Sequence, residues 1–270
     1  MSGMWLKCAP FLRTSTLQHP CSRLERMSHD RFTFVLQSSH MATPRVRQFN
    51  FRREGGSALY YTPGQFITLH LPWQGMELRR SYSVATIPGT VNEVQLAVTY
   101  VEGGRATRLL YDMTPGARVE ATGPFGRFVL RDDPPGRYLL VATGTGISPY
   151  RAMLPQLRER LDGRQHEAVL LLGVRGPDEL LFGEDFLSLA RDNRAFRFIA
   201  SYSRHLPEPP GAHERKGYVQ DHLMELHPDP QHDIVYLCGN PGMIDAAVES
   251  LKTVGFDNHN MRREKYVSSN

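Results

Sequence analysis

Hydrophobic and polar residues alternate with a period of two in several short segments between residues 30 and 135. The segments 31–37 and 46–52 show this pattern most clearly. Because alternate residues of a strand face opposite sides of a sheet, the pattern predicts strands with one buried face. The predicted strands span residues 31–37, 46–52, 65–71, 80–85, 94–100 and 118–122. Together with one helix at 105–113, they predict a small antiparallel β-barrel.

Beyond residue 135 the pattern changes to apolar runs that alternate with helical segments, and the Pro- and Gly-rich stretch 132–136 marks the change. The predicted strands are 138–142, 168–174, 196–201 and 234–238, and the predicted helices are 149–161, 181–190, 219–226 and 241–254. This alternation is typical of an α/β fold with a doubly wound parallel sheet. We therefore expect two domains, a barrel over residues 30–135 and an α/β domain over residues 136–270.

The first 29 residues have a different composition from the rest of the chain. No acidic residue precedes Glu25, whereas Lys7, Arg13 and Arg23 are basic, and Ser and Thr are frequent. An organellar presequence has this composition. We favour a disordered tail, or a natural start at Met27, over a working targeting signal. The expected location is therefore the cytoplasm.

Composition excludes several classes of protein. The 270 residues carry a net charge of +4, which is too small and too dispersed to predict a nucleic-acid partner but suits an acidic protein partner. No apolar run approaches the roughly 18 residues of a membrane-spanning helix, so we expect no membrane association. The three cysteines form no C-x-x-C pair, and the histidines show no metal-ligand spacing. We expect no metal and no iron–sulfur cluster.

Two segments of the predicted barrel suit a flavin dinucleotide. In Arg80-Ser81-Tyr82-Ser83 the cation and the aromatic ring share one face of a strand, and the last hydroxyl lies beside them. The guanidinium suits phosphate, the ring suits stacking on the flavin, and Ser83 suits its N5 atom. In Gly103–Thr107, glycines precede a helix whose first N–H groups suit a phosphate, to which Thr107 adds a hydroxyl. Each motif alone also fits an ordinary exposed strand or turn.

The segment that follows the first strand of the α/β domain suits a nicotinamide dinucleotide. Gly144-Thr145-Gly146 form a turn, Ser148 is a suitable helix N-cap, and Pro149 is a suitable first helical residue. The pyrophosphate would lie at that helix N-terminus. The third glycine of the G-x-G-x-x-G fingerprint is absent, so an ordinary strand-to-helix turn is the alternative.

Five motifs in order, at residues 80–83, 104–107, 123–126, 144–149 and 238–243, make residues 31–267 resemble the ferredoxin–NADP reductase superfamily. The resemblance implies an FAD-binding barrel followed by an NAD(P)-binding α/β domain. It implies FAD contacts from Arg80, Ser81, Tyr82, Ser83, Val98, Thr99, Tyr100, Gly104, Arg105, Ala106, Thr107, Thr145 and Tyr266. It implies NADP(H) contacts from Gly144, Thr145, Gly146, Arg175, Ser203, Arg204, Lys216, Tyr218, Gly239, Asn240 and Pro241.

The resemblance also implies a transfer site made by Ser83, Cys238, Glu264 and Tyr266. Cys238 would lie beside the position of hydride transfer, Glu264 would relay protons, and Tyr266 would cover the outer face of the flavin. Four residues follow Tyr266, whereas in plastid members the tyrosine is terminal. A frayed polar tail is the alternative for this segment, because chain termini are often disordered.

The sequence therefore predicts a monomeric flavoenzyme that exchanges electrons between NADP(H) and an acidic one-electron carrier, ferredoxin or flavodoxin, through FAD. Arg204 and Lys216 favour NADP(H), because an unphosphorylated ribose would be better served by an acidic residue. One alternative is an NADH-dependent reductase component of an oxygenase or cytochrome system. Two non-enzymatic alternatives are an FAD-holding electron-relay subunit of a larger complex and a nucleotide sensor without redox function.

Overall fold

A computed structural model describes residues 31–89, 93–163 and 166–267. The expectations for residues 1–29 fall outside these ranges. Within them the chain forms a six-stranded antiparallel sheet followed by a six-stranded parallel sheet flanked by helices. The predicted two-part fold class is therefore confirmed.

The antiparallel sheet curls into a barrel with the strand order β4-β3-β6-β1-β2-β5. A bridge between Val84 and Leu96 joins its two edges. The aromatic rings of Phe34, Phe49 and Phe51 stack in its core, where they are fully buried. The strands are β1 (Phe32–Thr43), β2 (Val46–Arg53), β3 (Phe66–Trp73), β4 (Met76–Ser83), β5 (Val94–Thr99) and β6 (Arg118–Phe125).

Strand β4 begins earlier than the sequence predicted, because a tight turn joins it to β3. Gln74 and Gly75 both have positive φ, 47° and 77°. Two such residues form the kind of two-residue hairpin turn whose twist matches that of antiparallel strands. The hairpin pairs β4 along its whole length with β3 and so fixes which face Arg80 and Tyr82 occupy.

The parallel sheet has the strand order β10-β9-β8-β7-β11-β12. The order reverses between β7 and β11, and ligands of open α/β sheets bind outside the carboxyl ends of the strands at such a point. Apolar clusters cover both faces of this sheet, and one of them includes Val46 and Ala97 of the barrel. The strands are β7 (Gly136–Thr143), β8 (His166–Val174), β9 (Phe196–Tyr202), β10 (Glu214–Lys216), β11 (Asp233–Gly239) and β12 (Met261–Lys265).

One predicted helix, residues 149–161, is divided in two. Pro155 has no N–H to donate to the carbonyl of Arg151, so a continuous helix would lose a hydrogen bond there. The chain instead forms two helices that meet at Met153. The helices are α1 (Arg105–Tyr111), α2 (Ser148–Ala152), α3 (Leu154–Asp162), α4 (Gly183–Asp192), α5 (Val219–Glu225) and α6 (Pro241–Thr253). No helix in the described ranges has the length and apolar character needed to cross a membrane.

Strands β10 and β12 were not predicted. β12 has the sequence Met261-Arg-Arg-Glu-Lys265, which lacks apolar alternation, yet it pairs in parallel with β11. The pairing sets Glu264 beside Cys238 in the register. The frayed-tail alternative is therefore wrong for residues 262–265, while residues 268–270 lie outside the described ranges.

Candidate active site

A cleft of about 980 Å³ is lined by residues of both sheets. It lies at the carboxyl ends of β7 and β11, next to the barrel strands β4 and β5. Most of the predicted site residues line it, namely Arg80, Ser81, Tyr82, Ser83, Thr99, Gly104, Arg105, Ala106, Thr107, Gly144, Thr145, Arg175, Ser203, Tyr218, Gly239, Asn240, Glu264 and Tyr266.

The four predicted residues of strand β4 are consecutive, and all of them line the cleft. Tyr82 packs against the barrel core with its ring half-buried, and burial raises the pKa of its phenol. Arg80 Nη1 donates to the carbonyl of Arg79 at 2.8 Å. On the opposite face, the hydroxyls of Ser81 and Thr68 are hydrogen-bonded at 2.9 Å. Ser83 ends the strand and is buried.

The turn before α1 is held by the hydroxyl of Thr107. Its Oγ1 lies 3.1 Å from the carbonyl oxygen of Val101 and 3.0 Å from that of Gly104. This hydroxyl was predicted to serve a phosphate, but it is committed to the turn. A Cβ on Gly104 would approach Thr107 Oγ1 to 2.8 Å, so glycine is required for this close packing. Thr107 lines the cleft, but its hydroxyl hydrogen is directed to the carbonyl oxygens of the turn.

Only one residue of the predicted segment Val98–Tyr100 lines the cleft. The side chain of Val98 points into the barrel core, and Tyr100 packs edge-on against Tyr111 at 5.1 Å. Strand alternation explains the correction, because Thr99 and Ala97 share the face opposite Val98. Ala97 lines the cleft with Thr99 and was not predicted.

The glycine turn differs from the predicted geometry. Residues Gly144–Ile147 form a short 3₁₀ helix, and Ser148 is the first residue of α2 rather than its N-cap. Ser148 lines the cleft, is 2% exposed, and its Oγ has no hydrogen-bond partner among the residues that the structure describes. A Cβ on Gly146 would lie 2.3 Å from the carbonyl oxygen of Cys238, so Gly146 packs the turn against β11 instead of lining the cleft.

The end of β11 is packed against the same turn. Gly239 has a φ of 125°, and the N–H of Asn240 donates to Thr143 Oγ1 at 2.9 Å. The side chain of Asn240 caps α6 by accepting from the N–H groups of Gly242 and Met243. Pro241, predicted to contact the nucleotide, starts α6 outside the cleft lining.

Four predicted residues form one hydrogen-bonded group, and three of them, Ser83, Glu264 and Tyr266, line the cleft. Tyr266 donates its hydroxyl hydrogen to Ser83 Oγ at 2.6 Å, and Ser83 Oγ donates to Glu264 Oε1 at 3.0 Å. The Cys238 thiol is hydrogen-bonded to the Tyr266 hydroxyl. Cys238 is fully buried behind this group and does not line the cleft itself. We call Ser83, Cys238, Glu264 and Tyr266 the junction cluster.

The junction cluster contains one group that titrates near neutrality. Burial raises the pKa of Glu264 to about 7, and the hydrogen bond from Ser83 opposes this shift. Burial, and then the charge of Glu264, raise the pKa of the Cys238 thiol. Burial also raises the pKa of the Tyr266 phenol. At neutral pH, therefore, Glu264 exchanges a proton readily while the thiol and the phenol stay neutral.

The predicted phosphate-binding residues divide into two groups. Arg175, Ser203 and Tyr218 line the cleft, whereas Arg204 and Lys216 are exposed beside it. Lys216 Nζ donates to the carbonyl of Arg204, and the N–H of Arg204 donates to the carbonyl of Arg175 at 3.0 Å. These bonds bring the three cations to one side of the cleft.

Comparison with known proteins identifies the family of this chain. Residues 26–130 match the family model described as an oxidoreductase FAD-binding domain, and residues 140–249 match that of an oxidoreductase NAD-binding domain. The chain is 34% identical over 235 residues to a ferredoxin–NADP reductase B of Sorangium cellulosum, covering 83% of this chain and 93% of the relative. The chain belongs to the ferredoxin–NADP reductase superfamily. It is thus an oxidoreductase with FAD and a nicotinamide dinucleotide as cofactors.

Other members of the superfamily have different partners. The chain is 32% identical over 211 residues to the reductase component of a propane 2-monooxygenase from Rhodococcus jostii, covering 77% of this chain and 56% of that relative. The structure of an Amycolatopsis cytochrome P450 reductase superposes with a TM-score of 0.77 at 29% identity, covering 87% of this chain and 69% of that one. A ferredoxin NADP⁺ reductase from Neisseria gonorrhoeae with bound FAD and NADP has the same fold at 20% identity, with a TM-score of 0.75 and coverage of 87% and 98%.

The residues present in the cleft fit both cofactors of the superfamily. The hydroxyl of Ser148, which has no partner within the described ranges, lines the cleft and can bond a ligand. At Gly144, φ is 53° and no atom lies within 4 Å of where a Cβ would be, so its backbone is open to a dinucleotide. Arg80 and Arg105 on the barrel side and Arg175 on the other supply positive charge for phosphates.

Several cleft residues escaped the sequence analysis because they lie on turns of other elements. Arg45 comes from the β1–β2 turn, Glu179 from the short 3₁₀ helix after β8, and Gln220 from the start of α5. Their positions depend on how the two sheets pack against each other. No periodicity or motif in the sequence marks them, whereas Ala97 follows from strand alternation once Thr99 is placed.

Proposed function

We propose that this chain, as a monomer, is an FAD-dependent reductase that exchanges electrons between NADP(H) and an acidic one-electron carrier, ferredoxin or flavodoxin. The observation that carries the proposal is the junction cluster. Ser83 comes from the barrel, and Cys238, Glu264 and Tyr266 come from the parallel sheet, so the cluster lies where a barrel-bound flavin and a sheet-bound nicotinamide would meet.

The proposed role of the chain is to hold and orient the two cofactors. Tyr82 and Arg80 bind the ring and the phosphates of FAD, and the turn at Gly144 and the hydroxyl of Ser148 bind the nicotinamide nucleotide. When both are bound, FAD supplies hydride exchange with the nicotinamide and single-electron exchange with the carrier.

The junction cluster controls protons and access at that meeting point. Ser83 Oγ connects the Tyr266 hydroxyl to the Glu264 carboxyl by two hydrogen bonds, 2.6 and 3.0 Å long. Glu264, with its pKa near 7, takes up or releases a proton at neutral pH through Ser83 Oγ. Tyr266 occupies the cleft beside Ser83, so a nicotinamide that reaches Ser83 must displace its ring.

The preference for NADP(H) rests on the cationic side of the cleft. Arg204, Lys216 and Arg175 are linked through backbone hydrogen bonds and present positive charge to a 2′-phosphate. We expect Arg204→Ala to raise KM for NADPH about tenfold or more while KM for NADH changes little, since a charge-assisted bond is lost only with the phosphorylated nucleotide. Steady-state assays with both nucleotides and an artificial acceptor measure this difference.

Arg197→Ala is the matched control for Arg204→Ala. Arg197 is exposed on β9, the strand that precedes Arg204, and should leave both KM values unchanged. Equal losses with NADPH and NADH in Arg204→Ala would contradict the phosphate assignment. Absence of NADPH-dependent acceptor reduction by the FAD-loaded chain would contradict the proposed function as a whole.

An NADH-dependent reductase of an oxygenase or cytochrome system is the second candidate. It is favoured by the similarity to the propane 2-monooxygenase reductase component and to the cytochrome P450 reductase. The chain spans only 56% and 69% of those two proteins, and it resembles the Sorangium ferredoxin–NADP reductase over 93% of that protein's length. A lower KM for NADH than for NADPH would select this second candidate.

A further inference from the structure

Arg151 connects the helix after the glycine turn to the barrel. It belongs to α2, which begins at Ser148, and its side chain is 15% exposed. Its Nη1 donates to the carbonyl of Ala85 at 2.9 Å and to Gln95 Oε1 at 2.6 Å, and both partners belong to the barrel. On its own side, Nε pairs with Asp185 Oδ2 at 2.6 Å.

A second contact fixes the plane of the Arg151 guanidinium. The carbon Cζ lies 4.3 Å from the centroid of the Phe182 ring. Phe182 has a φ of 57°, a left-handed conformation that is uncommon for a residue with a side chain. The planar guanidinium therefore stacks on an aromatic ring while its N–H groups donate both to the barrel and to Asp185. A lysine ammonium is not planar and cannot make this combination of contacts.

The two barrel partners of Arg151 flank the seam at which the barrel closes. Strands β4 and β5 are the edges of the antiparallel sheet, and they are joined by the Val84–Leu96 bridge and by the bond from the N–H of Ala85 to the carbonyl of Gln95 at 2.8 Å. Ala85 lies two residues after Ser83. Gln95 lies in the strand that also places Thr99 in the cleft.

We propose that Arg151 is a positioning residue that holds the glycine turn, the end of β4 and the strand β5 in one fixed arrangement. It thereby sets the distance between a nicotinamide bound on the parallel sheet and Ser83 on the barrel. This inference rests on the proposed function, because a fixed distance between the two cofactor sites matters only if they exchange electrons. Arg151 itself does not line the cleft.

The test compares Arg151→Met with the wild-type holoenzyme. Arg151→Met keeps every side chain that lines the two cofactor sites and changes only how the sites are held relative to each other, so FAD content and the Kd for NADPH should change by less than about threefold. The rate of flavin reduction by saturating NADPH, measured anaerobically by stopped flow, should fall about tenfold or more, because reaction rates depend steeply on the approach of the reacting atoms. Hydrogen exchange of the backbone amides of residues 84–86 and 95–97 should accelerate about tenfold.

Arg158→Met is the matched control. Arg158 lies on α3 and pairs with Asp192 at 3.1 Å within the same domain, with both side chains about half-exposed. It should change none of these quantities. Arg151→Lys should recover only part of the reduction rate, because an ammonium cannot hold the barrel acceptors and Asp185 in the same planar geometry.

Two results would overturn the inference. One is an unchanged flavin-reduction rate in Arg151→Met, and the other is a loss of NADPH affinity that accounts for the whole fall in rate. If Arg151→Met does not accumulate, Gln95→Leu removes one of the two barrel-side acceptors and must likewise slow flavin reduction while leaving the Kd for NADPH within about threefold. If neither nucleotide reduces the wild-type protein, the proposed function itself fails. If hydrogen exchange of the backbone amides at residues 84–86 and 95–97 is unchanged in Arg151→Met, Arg151 does not hold the seam of the barrel.

Discussion

We expect the free energy of unfolding of the wild-type protein to fall as pH rises through the acidic range, and we expect Glu264→Gln to abolish this fall. Burial raises the pKa of this carboxyl to about 7 in the folded protein, against an ordinary value of 4.5. Between these two values the unfolded chain is ionised while the folded protein still holds the proton. The unfolded state therefore binds fewer protons, so the free energy of unfolding falls as pH rises from about 4.5 to about 7.

The size of this effect follows from the shift. The difference, 7 − 4.5 = 2.5 pH units, corresponds to at most about 3.4 kcal/mol at 1.36 kcal/mol per unit. Glu264 is only partly buried and faces the cleft, so solvent screening reduces this value. We expect the wild-type protein to lose about 1–2 kcal/mol relative to Glu264→Gln between pH 5 and pH 8.

Urea unfolding of the flavin-free protein, followed by circular dichroism at pH 5, 6.5 and 8, measures this difference. The control is Glu249→Gln, which changes an exposed carboxyl on α6 and should give a curve parallel to that of the wild type. If the wild type and Glu264→Gln also give parallel curves, Glu264 titrates in its ordinary range and the proton role assigned to the junction cluster is wrong.

Two packing predictions concern the glycine turn and the linker between the sheets. Gly146→Ala should destabilise the protein by about 1–3 kcal/mol and weaken NADPH binding, because the new Cβ would lie 2.3 Å from the backbone oxygen of Cys238. Thermal unfolding measures the loss of stability, and nucleotide titration measures the loss of affinity. Asp133→Asn should cost about 3–5 kcal/mol in urea unfolding, because it breaks the buried 3.0 Å ion pair with Arg262 and leaves that guanidinium without its carboxylate.

Each packing prediction has a control of the same chemistry. Gly163→Ala places its Cβ no closer than 3.5 Å to a neighbour, so it should not destabilise the protein. Asp192→Asn breaks an exposed ion pair and should cost no more than about 1 kcal/mol. Similar losses in a variant and its control would show that burial and close contact are not the cause of the destabilisation.

Most of the fold follows from the sequence because its strands have strong periodic patterns. The barrel strands alternate in polarity, and β7, β8, β9 and β11 consist mostly of apolar residues over strand length. Strand β12 has no such pattern and forms because the edge of β11 that faces away from β7 can pair with it. The break between α2 and α3 was overlooked because the apolar periodicity continues through Pro155.

Site residues could be predicted where a local sequence motif determines their position, and they could not be predicted where the packing of distant segments determines it. Arg80, Tyr82 and Ser83 were found because they belong to one local motif at the end of β4, all four residues of which line the cleft. Val98 was misplaced because the motif comparison gave a segment and not a face. Ser148 was expected to cap a helix, and only the structure shows that its buried hydroxyl has no partner among the described residues.

The central claim is that the junction cluster is where the flavin and the nicotinamide exchange electrons. Anaerobic stopped-flow reduction of the FAD-loaded protein by NADPH, in wild type, Ser83→Ala and the exposed control Ser38→Ala, tests it most directly. We predict that Ser83→Ala retains its FAD and its affinity for NADPH but is reduced about ten- to a hundredfold more slowly, because the link from Tyr266 to Glu264 is lost. An unchanged rate in Ser83→Ala would contradict the claim.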